Sequence, residues 1–395
     1  MRKSNKLTRR TLLGTGSAAL VAPQIQAAGE PFRLGWVRPI TGRLASSFAP
    51  LYVGGLIAID EINAAGGILG RRIVREELDD EASPAKEPSV IKKLAGEDIR
   101  YICGPTGSSQ SLAALASTTP AKIINTTYGL ASALGDGRKY PYHYQMIFNS
   151  DQQAITVVRH LVDVLKLRKI GILQENTAYG EEIARSTRRE LKLRGLEPAD
   201  VQVFPITAPD LNAYVANLRK AGADGLCLWL SNTPNTVMAF SAMTTLDWHP
   251  PTAGHTSLFD EALLKLVPEE ALRDVYGTLY RSFTWSETEA PAERQQAYAR
   301  KIATYPEARG VLVNAALSPH YDFLTLLSTI IATERTDDVE RIKAALDGVR
   351  NYPGMLGKIN FSPDNHCAIG ADEMVMASVA SASDPRAQGI FRARA

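Results

Sequence analysis

Tyr101-Ile-Cys-Gly-Pro-Thr-Gly-Ser-Ser-Gln-Ser-Leu-Ala-Ala-Leu-Ala116 runs from a short apolar strand through a Gly/Ser turn into a helix. That order is the unit from which a parallel α/β sheet is built. Gly104 to Ser109 lacks the lysine and the spacing of GxxxxGK[ST], which argues against a nucleotide phosphate loop. The turn instead leaves backbone N–H groups and the hydroxyls of Ser108 and Ser109 at the positive end of a helix, a place where carboxylates bind. Equally, either serine could simply cap its own helix. Ligands of α/β sheets bind beyond the carboxyl ends of the strands, where this turn lies. The turn expected after the next strand is Asn125-Thr-Thr-Tyr-Gly129.

Outward from this stretch the same alternation continues almost from end to end. Strands are expected at Arg33 to Val37, Arg72 to Leu78, Ile99 to Cys103 and Lys122 to Ile124, and again at Lys169 to Leu173, Val201 to Phe204, Leu226 to Leu230 and Val275 to Tyr280. Apolar residues recur at helical spacing between them, as in Ile155, Val158, Val162 and Leu165, or Leu211, Val215 and Leu218. Two similar α/β lobes follow, with Gly135 to Pro141 leading into the second. Helices are expected near Ala292 to Thr304, Ser318 to Thr333 and Asp338 to Asp347. Strand-like Lys358 to Phe361 and Glu373 to Val379 close the chain.

The N-terminus reads differently. Thr8-Arg-Arg-Thr-Leu-Leu13 precedes an apolar, Gly/Ala-rich stretch from about Leu12 to Val21 and small residues at Ala27 and Ala28. A basic region, a short apolar region and small residues in that order describe an export signal, and the arginine pair points to the twin-arginine route. Residues 1–28 are expected to be removed and the protein to work in the periplasm. Hydrophobic residues make up 45% and charged residues 22% of the 395, as in a soluble globular protein. A net charge of +2 calls for neither nucleic acid nor an anionic membrane. Cys103, Cys227 and Cys367 are an odd number, and the first two lie in apolar runs, so they are expected to be buried small hydrophobes. The six histidines have no metal-ligand spacing, and GxSxG, HExxH and GxGxxG are absent. Neither catalysis nor a cofactor or metal is expected.

Pro39-Ile-Thr-Gly42, Ile59-Asp-Glu-Ile-Asn-Ala-Ala-Gly-Gly-Ile-Leu-Gly-Arg71, Asp79-Asp80 and Gln174-Glu-Asn-Thr-Ala-Tyr-Gly-Glu-Glu-Ile-Ala-Arg185 together resemble the type I periplasmic binding proteins of ABC importers, in the branched-chain and hydrophobic amino-acid group. The resemblance covers essentially the whole chain after the signal. It implies a periplasmic binding protein type I fold: two Rossmann-like lobes joined by a three-crossing hinge, residues 30–149 with 281–358 and residues 150–280 with 359–395. It also implies a monomer that traps a small-molecule ligand between the lobes and delivers it to an ABC permease. Ser108 would hold the ligand carboxylate, with Ser109 beside it. Thr127 and Gly129 would offer backbone groups, Tyr179 would press on the ligand, and Asn232 and Ser47, or the nearby Phe48, would complete the cleft. Tyr179 could alternatively pack on its own lobe.

Departures bear on the ligand. Amino-acid binders place a glutamate against the ligand ammonium where this chain has Thr256, so the second-lobe anchor is expected to be neutral unless Asp260 or Glu261 compensates. Gly129 stands where the family often has threonine, which would leave more room. Tyr128, Tyr179, Trp285 and Trp36 are candidate aromatic walls. A small carboxylate or amide with an apolar or aromatic body is then as plausible as leucine. The same fold in a ligand sensor for a receptor or regulator is the alternative.

Overall fold

The computed structural model describes residues 30–259, 261–309, 314–380 and 391–395; the expected signal segment lies outside them. The fold is α/β, with two main sheets of mostly parallel strands and two small two-stranded ones. The first holds β1 (Phe32–Arg38), β2 (Ile73–Asp79), β3 (Tyr101–Thr106) and β4 (Ile124–Tyr128) in the order β2-β1-β3-β4, all parallel. Between these strands run α1 (Ala45–Phe48), α2 (Val53–Ala64), α3 (Glu87–Gly96) and α4 (Ser108–Thr118). Strands buried on both faces read as near-continuous apolar runs. In β1, accordingly, Leu34, Trp36 and Val37 are all fully buried.

The second sheet contains β5 (Ile170–Glu175), β6 (Asp200–Phe204), β7 (Gly225–Trp229), β8 (Thr252–Gly254) and β9 (Val275–Tyr280). Its helices are α5 (Ser150–Val158), α6 (Ala178–Leu193), α7 (Asn212–Lys220), α8 (Thr233–Thr245) and α9 (Glu261–Leu266). The chain then returns to the first unit, where α11 (Pro319–Glu334) packs along α2, flanked by α10 (Glu293–Ile302) and α12 (Val339–Asp347). Thr284–Trp285 (β10) pairs with Arg392–Ala393 (β14), and Tyr352–Pro353 (β11) pairs antiparallel with Lys358–Ile359 (β12). Finally β13 (Met374–Ser378) joins the second sheet antiparallel to β9, giving the order β13-β9-β8-β7-β5-β6. The chain thus passes between the units three times: after β4, after β9 and before β13.

The strands run further than the sequence periodicity indicates near the site. β3 continues through Gly104-Pro-Thr, and β4 includes Asn125 to Tyr128, which was expected to be a turn. Of the polar side chains inside β4, Thr127 Oγ1 lies 3.0 Å from His143 Nε2, whereas Asn125 Oδ1 and Thr126 Oγ1 are buried without a hydrogen-bond partner. The three-residue β8 follows Pro250-Pro251 and is too short to show a period. All three cysteines are free and buried, as expected. Among the described residues no helix is long and apolar enough to cross a membrane.

Candidate ligand-binding site

A cavity of about 260 Å³ lies between the two units at the carboxyl ends of β3, β4, β5 and β8. It sits near the small end of ligand cavities, which run from roughly 300 to 1,000 Å³. The first unit lines it with Ser47, Ser108, Ser109 and Tyr128, and the second with Tyr179, Asn232 and Thr256. Apolar groups such as Phe48, Leu130, Ile206 and Phe259 form much of the remaining wall.

In the first unit, Gly107 holds φ at +101° as the residue before α4, a left-handed turn that side chains disfavour. That turn brings the next two residues to the cavity. Neither serine hydroxyl bonds the N–H groups of its own helix. Ser108 Oγ accepts from the backbone N–H groups of Leu130 and Ala131, both at 3.0 Å. A hydroxyl has two lone pairs and one proton; with both lone pairs engaged, the Ser108 proton is the group left to donate. Ser109 Oγ accepts from the Ala178 N–H at 3.1 Å and so ties the start of α4 to the start of α6 across the gap.

Thr127 and Gly129 do not border the cavity, whereas their neighbours Tyr128 and Leu130 do. Successive side chains along a strand point to opposite faces. With Tyr128 on the cavity side, Thr127 faces inward to His143. Gly129 gives no extra room to a ligand either, because a Cβ there would stand 2.5 Å from Leu134 Cδ1 and 2.6 Å from Ser111 Oγ. The space is already filled by the first unit's own packing. Its carbonyl accepts from Gln145 Nε2 at 2.8 Å.

In the second unit, Tyr179 is buried at the start of α6. Its hydroxyl donates to Gln153 Oε1 at 2.8 Å, and its ring meets His255 edge-on with centroids 5.4 Å apart. It therefore both packs on its own unit and borders the cavity. Asn232 caps α8, its Oδ1 accepting the Asn235 N–H at 3.0 Å. Of the other aromatic candidates, Trp36 lies in the core against Tyr52 and His320, and Trp285 is half-buried in β10; neither reaches the cavity.

Two functional candidates were not singled out from sequence. Glu175, at the end of β5, is buried in the wall and accepts from Thr177 Oγ1 at 2.7 Å, Ser231 N at 2.9 Å and Ser231 Oγ at 2.8 Å. Burial raises its pKa against the lowering effect of those bonds. The second-unit wall is therefore not free of carboxyl groups, as Thr256 alone suggested; the carboxyl comes from a different strand. Asp260 lies outside the described residues, and Glu261 opens α9. His255, just after β8, is one of the six histidines without metal-ligand spacing. Its position beyond a strand end is the signal that would have found it, but β8 itself leaves little trace in the sequence. Among the described residues no group of three or more His, Cys, Asp or Glu is placed to hold a metal.

A sequence model of the family described as "Periplasmic binding protein" matches residues 31–384. The chain belongs to the periplasmic binding protein family. Members of this family are solute-binding proteins rather than enzymes, and the chain has the type I fold. It is similar to an amino acid binding protein of Pseudomonas aeruginosa, at 28% identity over 222 residues, 56% of this chain and 59% of that one. It is also similar to the leucine-specific-binding protein of Salmonella typhimurium, at 28% identity over 212 residues, covering 53% and 56%. The chain thus spans under two thirds of these relatives' length. Among solved structures, the branched-chain amino acid transporter substrate binding protein LivJ of Streptococcus pneumoniae, in complex with isoleucine, superposes with a TM-score of 0.77 at 18% identity, covering 93% of this chain and 99% of that one. A solute binding protein of an ABC transporter from R. palustris, in complex with 4-hydroxybenzoate, gives 0.76 at 15% identity, covering 93% and 96%. At such identities the superpositions speak for the fold of this periplasmic binding protein.

Proposed function

We propose that this chain is an extracytoplasmic solute-binding protein of an ABC transporter, which captures an amino acid or a related small carboxylate or amide between its two units and delivers it to an inner-membrane permease. The observation that carries this reading is the cavity itself, bordered by both units, apolar through its middle, with the Ser108 hydroxyl free to donate at the head of α4. The relatives that bind amino acids support it, and the neighbour bound to 4-hydroxybenzoate widens it to aromatic acids. One unit receives the ligand first; the second then closes on it about the three crossings, burying it and completing the surface the permease recognises. Residues 1–28 act as a cleaved twin-arginine signal, and the mature protein works as a periplasmic monomer.

Calorimetry with a panel of amino acids, aromatic acids and amides tests this reading. Ser108→Ala combined with Tyr179→Ala is expected to weaken the bound member by at least about tenfold, the effect of one lost hydrogen bond. Unchanged affinity in the double variant would refute the site assignment. A secreted protein whose first residue is Met1 would refute the signal.

A further inference from the structure

We propose that His255 is a specificity-determining residue of this cavity: with Ser108 it presents hydrogen-bond donors from opposite walls, so the ligand is a carboxylic acid with an apolar body and a second oxygen acceptor, not an amino acid. The inference rests on the solute-binding reading above and narrows it.

The proton on each group is placed by what its other atoms already do. His255 Nδ1 lies 3.0 Å from the backbone nitrogen of Ser257, which can only donate, so Nδ1 must be the acceptor. Burial lowers the ring's pKa to about 3, which keeps the imidazole neutral at ordinary pH. A neutral ring that accepts at Nδ1 carries its hydrogen on Nε2. The neighbour of Nε2 within the protein is Thr256 Oγ1 at 3.4 Å, longer than the roughly 2.9–3.0 Å of a good N–H···O bond. His255 and Thr256 both border the cavity, so the N–H is left for a better acceptor. Ser108 stands in the same position on the facing wall, with both lone pairs engaged by Leu130 and Ala131.

The carboxyl that would attract an ammonium already accepts three hydrogens from its own unit. Both Glu175 oxygens accept from Ser231, and one also accepts from Thr177. An ammonium has donors only. Set against the second wall it would oppose the His255 N–H with donors of its own. A carbonyl, hydroxyl or carboxylate oxygen at that end gives His255 its acceptor, while Phe48, Leu130, Tyr179 and Phe259 enclose the body between.

The test is calorimetry on the mature chain with benzoate, 4-acetylbenzoate, 4-hydroxybenzoate, 4-(aminomethyl)benzoate and L-leucine. An acceptor-bearing acid is expected to bind at least about tenfold more tightly than 4-(aminomethyl)benzoate and L-leucine. His255→Phe, which retains a ring against Tyr179, is expected to bring 4-acetylbenzoate down to the affinity of benzoate; His255→Gln, which retains an N–H donor, is expected to keep the preference. Tighter binding of L-leucine than of either acceptor-bearing acid overturns the proposal and leaves the solute-binding reading standing. A preference undiminished in His255→Phe also overturns it. Should that variant fail to fold, the wild-type ranking and His255→Gln decide. If none of these acids binds and amides and the other amino acids also fail to bind, the underlying reading falls with the proposal.

Discussion

Glu87 opens α3 with its carboxyl fully buried, close to the equally buried Asp80 at the end of β2. Burial first, and then the charge of Asp80, push its pKa up to about 9. In the folded protein the group is therefore protonated at neutral pH, whereas in the unfolded chain it ionises near the ordinary carboxyl value of about 4.3. Because the folded state holds the extra proton, this contribution to stability is fully present below the unfolded pKa and is lost progressively as pH rises toward 9. Glu87→Gln, which keeps the shape without the ionisation, is expected to raise the melting temperature at pH 8, by about 1–3 kcal/mol of stability. It should also flatten the profile between pH 5 and 9; a lower melting temperature at pH 8 would contradict the assignment. None of this was visible in Asp79-Asp80 or Glu87 as letters, since burial of a charge depends on what folds over it. Ser108 and Tyr179, by contrast, were legible because a motif fixed their place at helix starts.

Helix α2 shows how packing overrides propensity at the level of an element. Its first turn carries Gly54 and Gly55, and replacing a helical glycine by alanine ordinarily stabilises by about 1 kcal/mol. Here a Cβ at Gly54 would stand 1.9 Å from the Leu317 carbonyl oxygen and 2.5 Å from the Tyr298 hydroxyl. The close approach brings the residues just before α11 against the helix. Gly54→Ala is accordingly expected to destabilise, by about 1–3 kcal/mol, read as an earlier midpoint in urea; a later midpoint would show that the helices separate freely. The elements themselves were largely legible. β1, β5 and β9 announce themselves as apolar runs, and α12 by its N-cap Asp338, whose side chain accepts the Arg341 N–H. The ends of β3 and β4 were not, because Gly104-Pro-Thr and Asn125-Thr-Thr carry no apolar period, and what buries them comes from elsewhere in the chain.

Across the whole molecule, three polar contacts join the two units around the cavity and the start of α6. Ser109 accepts from Ala178, Glu182 Oε1 accepts from the Ser132 N–H at 3.0 Å, and Arg43 donates to the Ile206 carbonyl. Burial raises the Glu182 pKa against the lowering effect of the backbone N–H groups of Ala133 and Ser132. Removing one such contact should favour the open arrangement without touching the ligand. Glu182→Ala is expected to enlarge the ligand-free radius of gyration in solution scattering and to speed ligand release about tenfold. An unaltered radius and release rate would show that closure does not depend on this contact.

The sequence by itself determined the α/β class, the doubled strand-helix series and the turn that opens α4, because period and turn chemistry are local properties of the chain. Only the tertiary structure decided that Tyr128 and not Thr127 faces the cavity, that the space beside Gly129 is already filled, and that Glu175 and His255 stand in the opposite wall. Those outcomes depend on how two sheets, built from segments far apart in the chain, are set against each other. Which face of a strand meets the gap, and which lone pairs are already occupied there, follows from that long-range packing.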